Sequence, residues 1–353
     1  MIVVVYGCRP DAIKLGPVVA ELRTRGVTPD LICTGQHTTL LRGTPVETDL
    51  ADARSLGLVS SGSVIPWCHR ATRCLTKEFD KRKPSLVVVQ GDTMTAVAAA
   101  RAADRLGIPI AHVEAGLRSH NLSEPWPEEG FRREITRMAA WHYAPTPWSV
   151  RNLRLENVPD DHIILTGNPI VSALARYTPA RRASPPEPTI LLTMHRREWL
   201  LGDHFVETIQ ALGEETEARP HISFVWPIHP AVEARIDPRT VWPKNMLVTG
   251  HMSYVQLIAG LVTCVGVMTD SGGLQEEAAT LGVPCAVMRN VTDRPESVDS
   301  GQAQVFSPTQ TGIHAAVSTL LTGRLRREPS DCFGDITAAA TIAAHLAQIP
   351  QGN

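Results

Sequence analysis

Ten short apolar runs, rich in β-branched residues, recur along the chain with helix-length segments between them. Five fall in the first half, at 2–6, 31–34, 86–90, 110–114 and 163–166. Five fall in the second, at 190–194, 222–226, 246–249, 264–269 and 284–288. None alternates apolar with polar residues, so each reads as a strand buried on both faces. The segments between them carry helical periodicity. In 11–25 the apolar positions are Ile13, Val18, Val19 and Leu22, and 95–106 is Ala-rich. Strand and helix alternating in two series predicts two doubly wound, Rossmann-like α/β domains, since parallel strands need helical crossovers on both faces of the sheet.

The break between the series is visible. Residues 177–188 hold four prolines and almost no apolar content, which reads as a linker. The predicted division is 1–176 for the first domain, 177–188 for the linker and 189–333 for the second domain. An Ala-rich helix within 334–353 is expected to pack back on the first domain. A chain of 353 residues is long enough for two cores. Two such domains with a cleft between them make a GT-B-like architecture, which by itself assigns no chemistry.

Composition excludes several classes. Lys and Arg total 34 against 36 Asp and Glu, a formal charge of −2, which gives no support for nucleic-acid or acidic-lipid binding. No apolar run reaches the roughly 18–20 residues of a membrane span. The opening Met1-Ile2-Val3-Val4-Val5-Tyr6 lacks the charged region of a signal peptide and reads as a first strand. Seven scattered cysteines without a CxxC read as reduced thiols of a cytoplasmic protein, not as disulfides or a zinc site. No metal is expected.

Three acids follow strand-like runs or sit in a Pro-rich turn: Asp92 in Gly91-Asp92-Thr93, Glu114 in His112-Val113-Glu114-Ala115-Gly116, and Glu128 in Pro125-Trp126-Pro127-Glu128-Glu129. Carboxyl ends of parallel strands line one crevice. Acids gathered there are costly to keep charged and dry, and proton-moving chemistry is the usual reason for them.

Candidate anion sites accompany them. In 269–277, Thr269-Asp270-Ser271-Gly272-Gly273-Leu274-Gln275-Glu276-Glu277 leaves a strand and opens a helix, where glycines admit a phosphate to backbone amides. Glu277, about one turn on, can accept both hydroxyls of a ribose. The ordinary alternative is a Gly-rich turn followed by two surface acids. The stretch is neither a Walker loop nor GxGxxG. At the first strand–helix turn Arg9 and Lys14 flank a helix start, and Arg can fork onto phosphate oxygens. His195, followed by Arg196 and Arg197, leaves the first strand of the second series and can donate to a diphosphate or exchange a proton. His229 is a weaker candidate of the same kind. Arg289 and Arg294 follow a further strand.

Taken together these residues resemble the non-hydrolysing UDP-N-acetylglucosamine 2-epimerases. The resemblance rests on nine motifs in order: Gly7-Cys8-Arg9-Pro10-Asp11-Ala12-Ile13-Lys14, Thr34-Gly35-Gln36-His37, Gly91-Asp92-Thr93, His112-Val113-Glu114-Ala115-Gly116-Leu117-Arg118, Pro125-Trp126-Pro127-Glu128-Glu129, Thr166-Gly167-Asn168, His195-Arg196-Arg197-Glu198, Ser271-Gly272-Gly273-Leu274-Gln275-Glu276-Glu277 and Thr292-Asp293-Arg294-Pro295-Glu296. It implies a cytoplasmic homodimer that takes a UDP-sugar in the interdomain cleft and needs no cofactor. It implies that UDP-GlcNAc and UDP-ManNAc interconvert by elimination of UDP to 2-acetamidoglucal and re-addition. Asp92, Glu114 and Glu128 would be the acid/base group. His195 and Arg9 would hold the diphosphate, with His195 sharing in proton transfer. Ser271, Gly272 and Gly273 would hold phosphate, Glu277 the ribose, and Tyr254 would flank uracil. Lys14, Arg132 and Arg294 match positions near the sugar and phosphates.

The sequence departs from the family pattern at Phe131, at Trp199, in 38–45, in 56–67, and at His229-Pro230, where a His-x-Asn-Pro is shortened. Several of these places form a second, activating UDP-GlcNAc site in bacterial members. Gln36, His37 and His229 are therefore expected to be remnants of a degraded regulatory site. A sigmoidal dependence of rate on UDP-GlcNAc would count against that. Phe131 and Trp199, beside motif residues, are expected to shift substrate preference. Other readings are a GT-B glycosyltransferase, which does not need three acids at the sugar carbon, a catalytically dead nucleotide-sugar binder, which is expected to lose an acid or His195, and a hydrolysing 2-epimerase.

Overall fold

An apolar strand that alternates with helices can hide both its faces only in the middle layer of a helix–sheet–helix stack. The computed structural model has that arrangement twice. It describes residues 1–36, 44–60, 63–178, 188–250 and 252–350, with the backbone alone of Glu198. The chain divides into two units, Met1–Tyr177 with Phe333–Asn353, and Thr178–Cys332. Most of the sequence-predicted linker, 179–187, lies outside the described residues.

The first unit runs β1 (Ile2–Tyr6), α1 (Arg9–Thr24), β2 (Asp30–Cys33), α2 (Val46–Asp49), β3 (Arg54–Ser55), α3 (Val64–Arg82), β4 (Leu86–Gln90), α4 (Met94–Asp104), β5 (Ile110–Val113), α5 (Glu128–Met138), β6 (Trp141–Ala144), α6 (Pro147–Leu155), β7 (Ile163–Leu165) and α7 (Pro169–Tyr177). The second runs β8 (Thr189–Thr193), α8 (Arg197–Leu200), α9 (Phe205–Glu217), β9 (Ser223–Pro227), α10 (Pro230–Glu233), β10 (Met246–Thr249), α11 (Tyr254–Leu261), β11 (Gly266–Thr269), α12 (Gly272–Leu281), β12 (Cys285–Met288), α13 (Pro295–Asp299), β13 (Ala303–Phe306) and α14 (Gln310–Leu321). The last helix, α15 (Ala338–Gln348), belongs to the first unit.

All ladders are parallel. The first sheet is ordered β3-β2-β1-β4-β5-β6-β7 and the second β10-β9-β8-β11-β12-β13. In both, strand order reverses beside the first strand of the unit, between β1 and β4 and between β8 and β11. Crossovers diverge at these switch points and leave an open crevice at the strands' carboxyl ends. Strands β3, β6 and β13 are additions to the ten runs read from the sequence.

The cores follow from composition. Helix α4 is nearly all Ala on its buried face, so its backbone lies close to the sheet, and Trp67, Leu75 and Phe79 of α3 fill the space beside it. Helix α15 buries Ile342 and Leu346. Tyr143 Oη lies 2.9 Å from His345 Nδ1, and Ser172 Oγ accepts from Ala339 N (3.1 Å) and donates to Ile336 O (2.9 Å). Phe131 and Trp199 both pack into cores, Phe131 among α3, α4 and the first sheet, and Trp199 against Phe205 at 5.0 Å. No helix among the described residues is long and apolar enough to cross a membrane. All seven cysteines are free thiols.

Candidate active site

In the first unit the polar residues gather at the β1/β4 switch point. The turn after β1 needs Gly7: a Cβ there would meet Thr95 Oγ1 at 2.0 Å and Thr34 Oγ1 at 2.3 Å. Those threonines form a buried relay, Thr34 Oγ1 to Thr95 Oγ1 (2.8 Å), which donates on to Gln36 Oε1 (2.9 Å). Gln36 thus sits buried behind the β1 turn, while His37 lies outside the described residues. Arg9 is the first residue of α1 and half-buried. Two residues on, Asp11 Oδ2 accepts from Gly7 N (3.1 Å), Cys8 N (3.4 Å) and Thr93 Oγ1 (3.3 Å). Burial raises the Asp11 carboxyl to about 6, against the pull of these donors.

Asp92 follows β4 through Gly91, whose φ is +64°. The buried His112 of β5 holds that turn, with Nε2 2.8 Å from Gly91 O. Burial drops the His112 pKa to about 3, so the ring is neutral and donates Nε2–H to the carbonyl. Arg132 of α5 grips Asp92 Oδ2 with Nε (2.7 Å) and a terminal nitrogen (2.5 Å). Its other terminal nitrogen lies 3.5 Å from the fully buried Glu129, which also accepts from Ser119 N (3.0 Å) and Arg133 Nε (3.0 Å).

Glu114 leaves β5 with φ +64°, a left-handed conformation that costs a non-glycine residue about 1–3 kcal/mol. Its buried Oε2 pairs with Lys14 Nζ and accepts from Gln90 Nε2 (3.1 Å) and Asn168 Nδ2 (3.2 Å). Glu128 opens α5, half-buried, one helical turn from Arg132 and so on the same helix face. The cost of keeping acids dry is therefore offset locally. Asp92 and Glu114 each face a buried cation, and neither cation is exposed enough to leave.

The second unit repeats the plan at the β8/β11 switch point. Asp270, completely buried at the end of β11, accepts from His195 N and Arg196 N, both at 2.6 Å. Its other oxygen lies 3.5 Å from His195 Nδ1. Asp270 thus fastens the turn after β8 and faces the ring nitrogen nearest it. The exposed His195 ring stacks on His229 at 5.6 Å, and His229 Nδ1 caps α10 by accepting from Ala231 N (3.2 Å).

Ser271 is the N-cap of α12, with Gly272 and Gly273 as its first helical residues. A Cβ on Gly272 would come 2.9 Å from Arg294 Cζ, so glycine lets the guanidinium lie against the helix start. Arg294 is buried, bonded through Nε to Glu276 (2.8 Å) and paired with Asp293, which also holds Arg289 (2.8 Å). Glu276 and Glu277 are both buried, so the ordinary alternative of two surface acids does not hold. Tyr254, also buried, opens α11 after the Ser253 cap.

The structure brings Asp92 to Arg132, Glu114 to Lys14, His195 to His229, and the glycine loop to Arg294. The sequence reading gave no role to Asp11, His112, Glu129, Asn168, Asp270 or Glu276. His112 carries a signal: it is a titratable residue inside an otherwise apolar strand run. Asp270 carries a weaker one, as the acid closing β11 before the glycines. Among the described residues no cluster of three His, Cys, Asp or Glu side chains could hold a metal.

A family model described as UDP-N-acetylglucosamine 2-epimerase matches residues 20–347. The UDP-N-acetylglucosamine 2-epimerase of Yersinia pestis is 34% identical over 340 residues, which span 91% of this chain and 90% of that one. A crystal structure of UDP-GlcNAc 2-epimerase from Neisseria meningitidis bound to UDP-GlcNAc superposes with a TM-score of 0.86 at 28% identity, covering 98% of this chain and 99% of the other. One from Methanocaldococcus jannaschii in complex with UDP-GlcNAc and UDP also gives 0.86, at 27% identity and the same coverage. The two parallel sheets are the Rossmann-like halves of a GT-B-like fold, and the chain belongs to the UDP-N-acetylglucosamine 2-epimerase family.

Proposed function

We propose that this protein interconverts UDP-GlcNAc and UDP-ManNAc without net hydrolysis. The observation that carries the reading is the cluster at the β1/β4 switch point, where Asp92 and Glu114 each meet a cation in a buried polar setting. The C2 proton of the sugar is weakly acidic, so a base alone is insufficient, and the leaving diphosphate must be stabilised as that proton departs. A carboxylate of the Asp92, Glu114 and Glu128 group takes the C2 proton. The C–H pair becomes the C1=C2 double bond, and the C1–O bond breaks with its electrons going to UDP. Re-addition returns the UDP oxygen to C1 while an acid of the same group delivers a proton to the opposite face of C2. Arg9, His195, Ser271, Gly272, Gly273 and Arg294 serve the diphosphate, Lys14 and Arg132 the sugar end, Glu277 the ribose and Tyr254 the uracil.

Incubation with UDP-GlcNAc in heavy water tests this. UDP-ManNAc is expected to form, with deuterium at C2 of both epimers. Acceptor-dependent release of UDP without exchange would replace the proposal with a glycosyltransferase, and accumulation of free N-acetylmannosamine with a hydrolysing enzyme. The same reading makes the protein a cytoplasmic homodimer. A light-scattering mass of a single 38.4 kDa chain would remove the dimer from it.

A further inference from the structure

The loop after β7 ends in Asn168, which is completely buried and immediately precedes α7. Its Oδ1 accepts from Ile170 N (3.0 Å), so it caps the helix start. A cap of that kind needs only an oxygen, which Ser or Asp supplies as well. Asp would add the negative charge that a helix start favours. Capping alone therefore does not ask for asparagine.

The amide nitrogen does. With Oδ1 turned to Ile170 N, the amide has one orientation, and Nδ2 meets Glu114 Oε2 at 3.2 Å. Gln90 Nε2, from the end of β4, reaches the same oxygen at 3.1 Å, and Lys14 of α1 pairs with it. Oε2 thus receives N–H groups from three separate elements. Lys14 brings charge, and the two amides bring direction without adding any. The other oxygen, Oε1, lies toward Gly91, where a Cβ would be 3.9 Å from it. It is turned to the loop that carries Asp92.

Asn168 is itself firmly held. Its N donates to Phe333 O (2.7 Å), and its O accepts from Val171 N (3.0 Å). Gly334 packs so close to this loop that a Cβ on it would lie 2.6 Å from Gly167 Cα. Glu114 needs such support, because it leaves β5 in a left-handed conformation, where no strand ladder fixes its backbone.

We infer that Asn168 is a positioning residue for Glu114, whose amide anchors one carboxylate oxygen and turns the other toward Asp92. Asparagine stands there because it holds an acceptor to the helix and a donor to the acid with two different atoms. A serine hydroxyl would have to serve both with one, and an aspartate would set two carboxylates against each other. The effect on turnover rests on the proposed function, in which Glu114 belongs to the acid/base group. The contact between amide and carboxylate does not.

Two variants test this. Asn168→Asp keeps the shape and the cap but turns an oxygen toward Glu114, and Asn168→Ser keeps a cap without a buried charge, so it serves where the aspartate variant fails to fold. In the epimerisation assay each is expected to lower kcat about tenfold or more, the scale of one charge-assisted hydrogen bond, with UDP affinity within about twofold of wild type. A carboxylate that loses an N–H donor holds its proton more tightly. The limb of the pH profile that Glu114 governs is therefore expected to move up by about one pH unit. That is the acid limb in the direction where Glu114 takes the proton and the basic limb in the direction where it gives one. A lower melting temperature with kcat and both limbs unchanged would overturn the inference and leave Asn168 as a cap. Carbon-13 NMR of carboxyl-labelled glutamate, with the Glu114 signal identified by its loss in Glu114→Gln, reads the contact without turnover. That signal is expected to titrate at higher pH in Asn168→Ser than in wild type, and an unchanged midpoint would overturn the positioning. A wild type that does not epimerise would sink the proposed function, while the NMR titration still judged Asn168.

Discussion

Asp270 shows how much one buried side chain decides. It closes the turn after β8 with two short backbone hydrogen bonds and faces His195 Nδ1 with its other oxygen. An acid there favours the tautomer with hydrogen on Nδ1 and leaves Nε2 to accept or pass a proton. Asp270→Asn keeps the shape but turns an N–H toward Nδ1, so the other tautomer is favoured. A fall in kcat on the order of 10² is expected, together with a change in the His195 nitrogen chemical shifts that marks the tautomer. An unchanged kcat with unchanged chemical shifts would show that Asp270 only fastens the turn. The types His195 and Asp270 were legible as a polar strand end and as the residue before a Ser-Gly-Gly run. That the two belong together was not, since 75 residues separate them and no periodicity links one strand end to another. The converse holds for Phe131 and Trp199. Their place beside motif residues suggested a role in substrate choice, yet both side chains fill hydrophobic cores.

Among the elements, the ten runs read from sequence are all strands, with ends shifted by a residue or two. The three that escaped lacked the signal in distinct ways. Strand β6 reads Trp-His-Tyr-Ala with no β-branched residue, β13 is an edge strand with an exposed Gln304, and β3 is two exposed residues paired on one side. Edge and aromatic strands are set by their neighbours more than by their own composition. The β1 turn is the opposite case, because its glycine is demanded by close packing. Gly7→Ala is expected to push Thr34 and Thr95 apart and to cost about 1–3 kcal/mol in urea unfolding, with the Gln36 relay broken. A loss within about 0.5 kcal/mol would mean that the threonines rotate away without strain.

For the molecule as a whole, the buried switch-point groups make stability depend on pH in opposing directions. Asp11 has its folded pKa raised from 3.8 to about 6. Between those values the folded state holds a proton that the unfolded state has lost, so Asp11 makes stability fall as pH rises, and its destabilisation is complete above about 6. His112 has its folded pKa lowered from 6.5 to about 3. Over that window the unfolded state holds the extra proton, so His112 makes stability rise with pH. Asp11→Asn removes the first slope and leaves the second. Each pH unit between the two Asp11 values is worth about 1.4 kcal/mol, so the stability of Asp11→Asn relative to wild type should grow by up to about 3 kcal/mol between about pH 4 and pH 7. A difference that stays constant across that range in chemical denaturation would show Asp11 to be ionised normally.

The chain's own pattern determined the two-fold α/β plan, because strands that are apolar on both faces have few other ways to leave water. It also marked the acids and the glycine loop, because charge is costly at the ends of such buried strands and glycine at a helix start admits a close neighbour, as Arg294 against Gly272. Only the tertiary structure decided the pairing of Asp92 with Arg132, Glu114 with Lys14 and Asp270 with His195. These contacts join different elements, and the energy that selects them comes from shared burial, which exists only once the chain has folded.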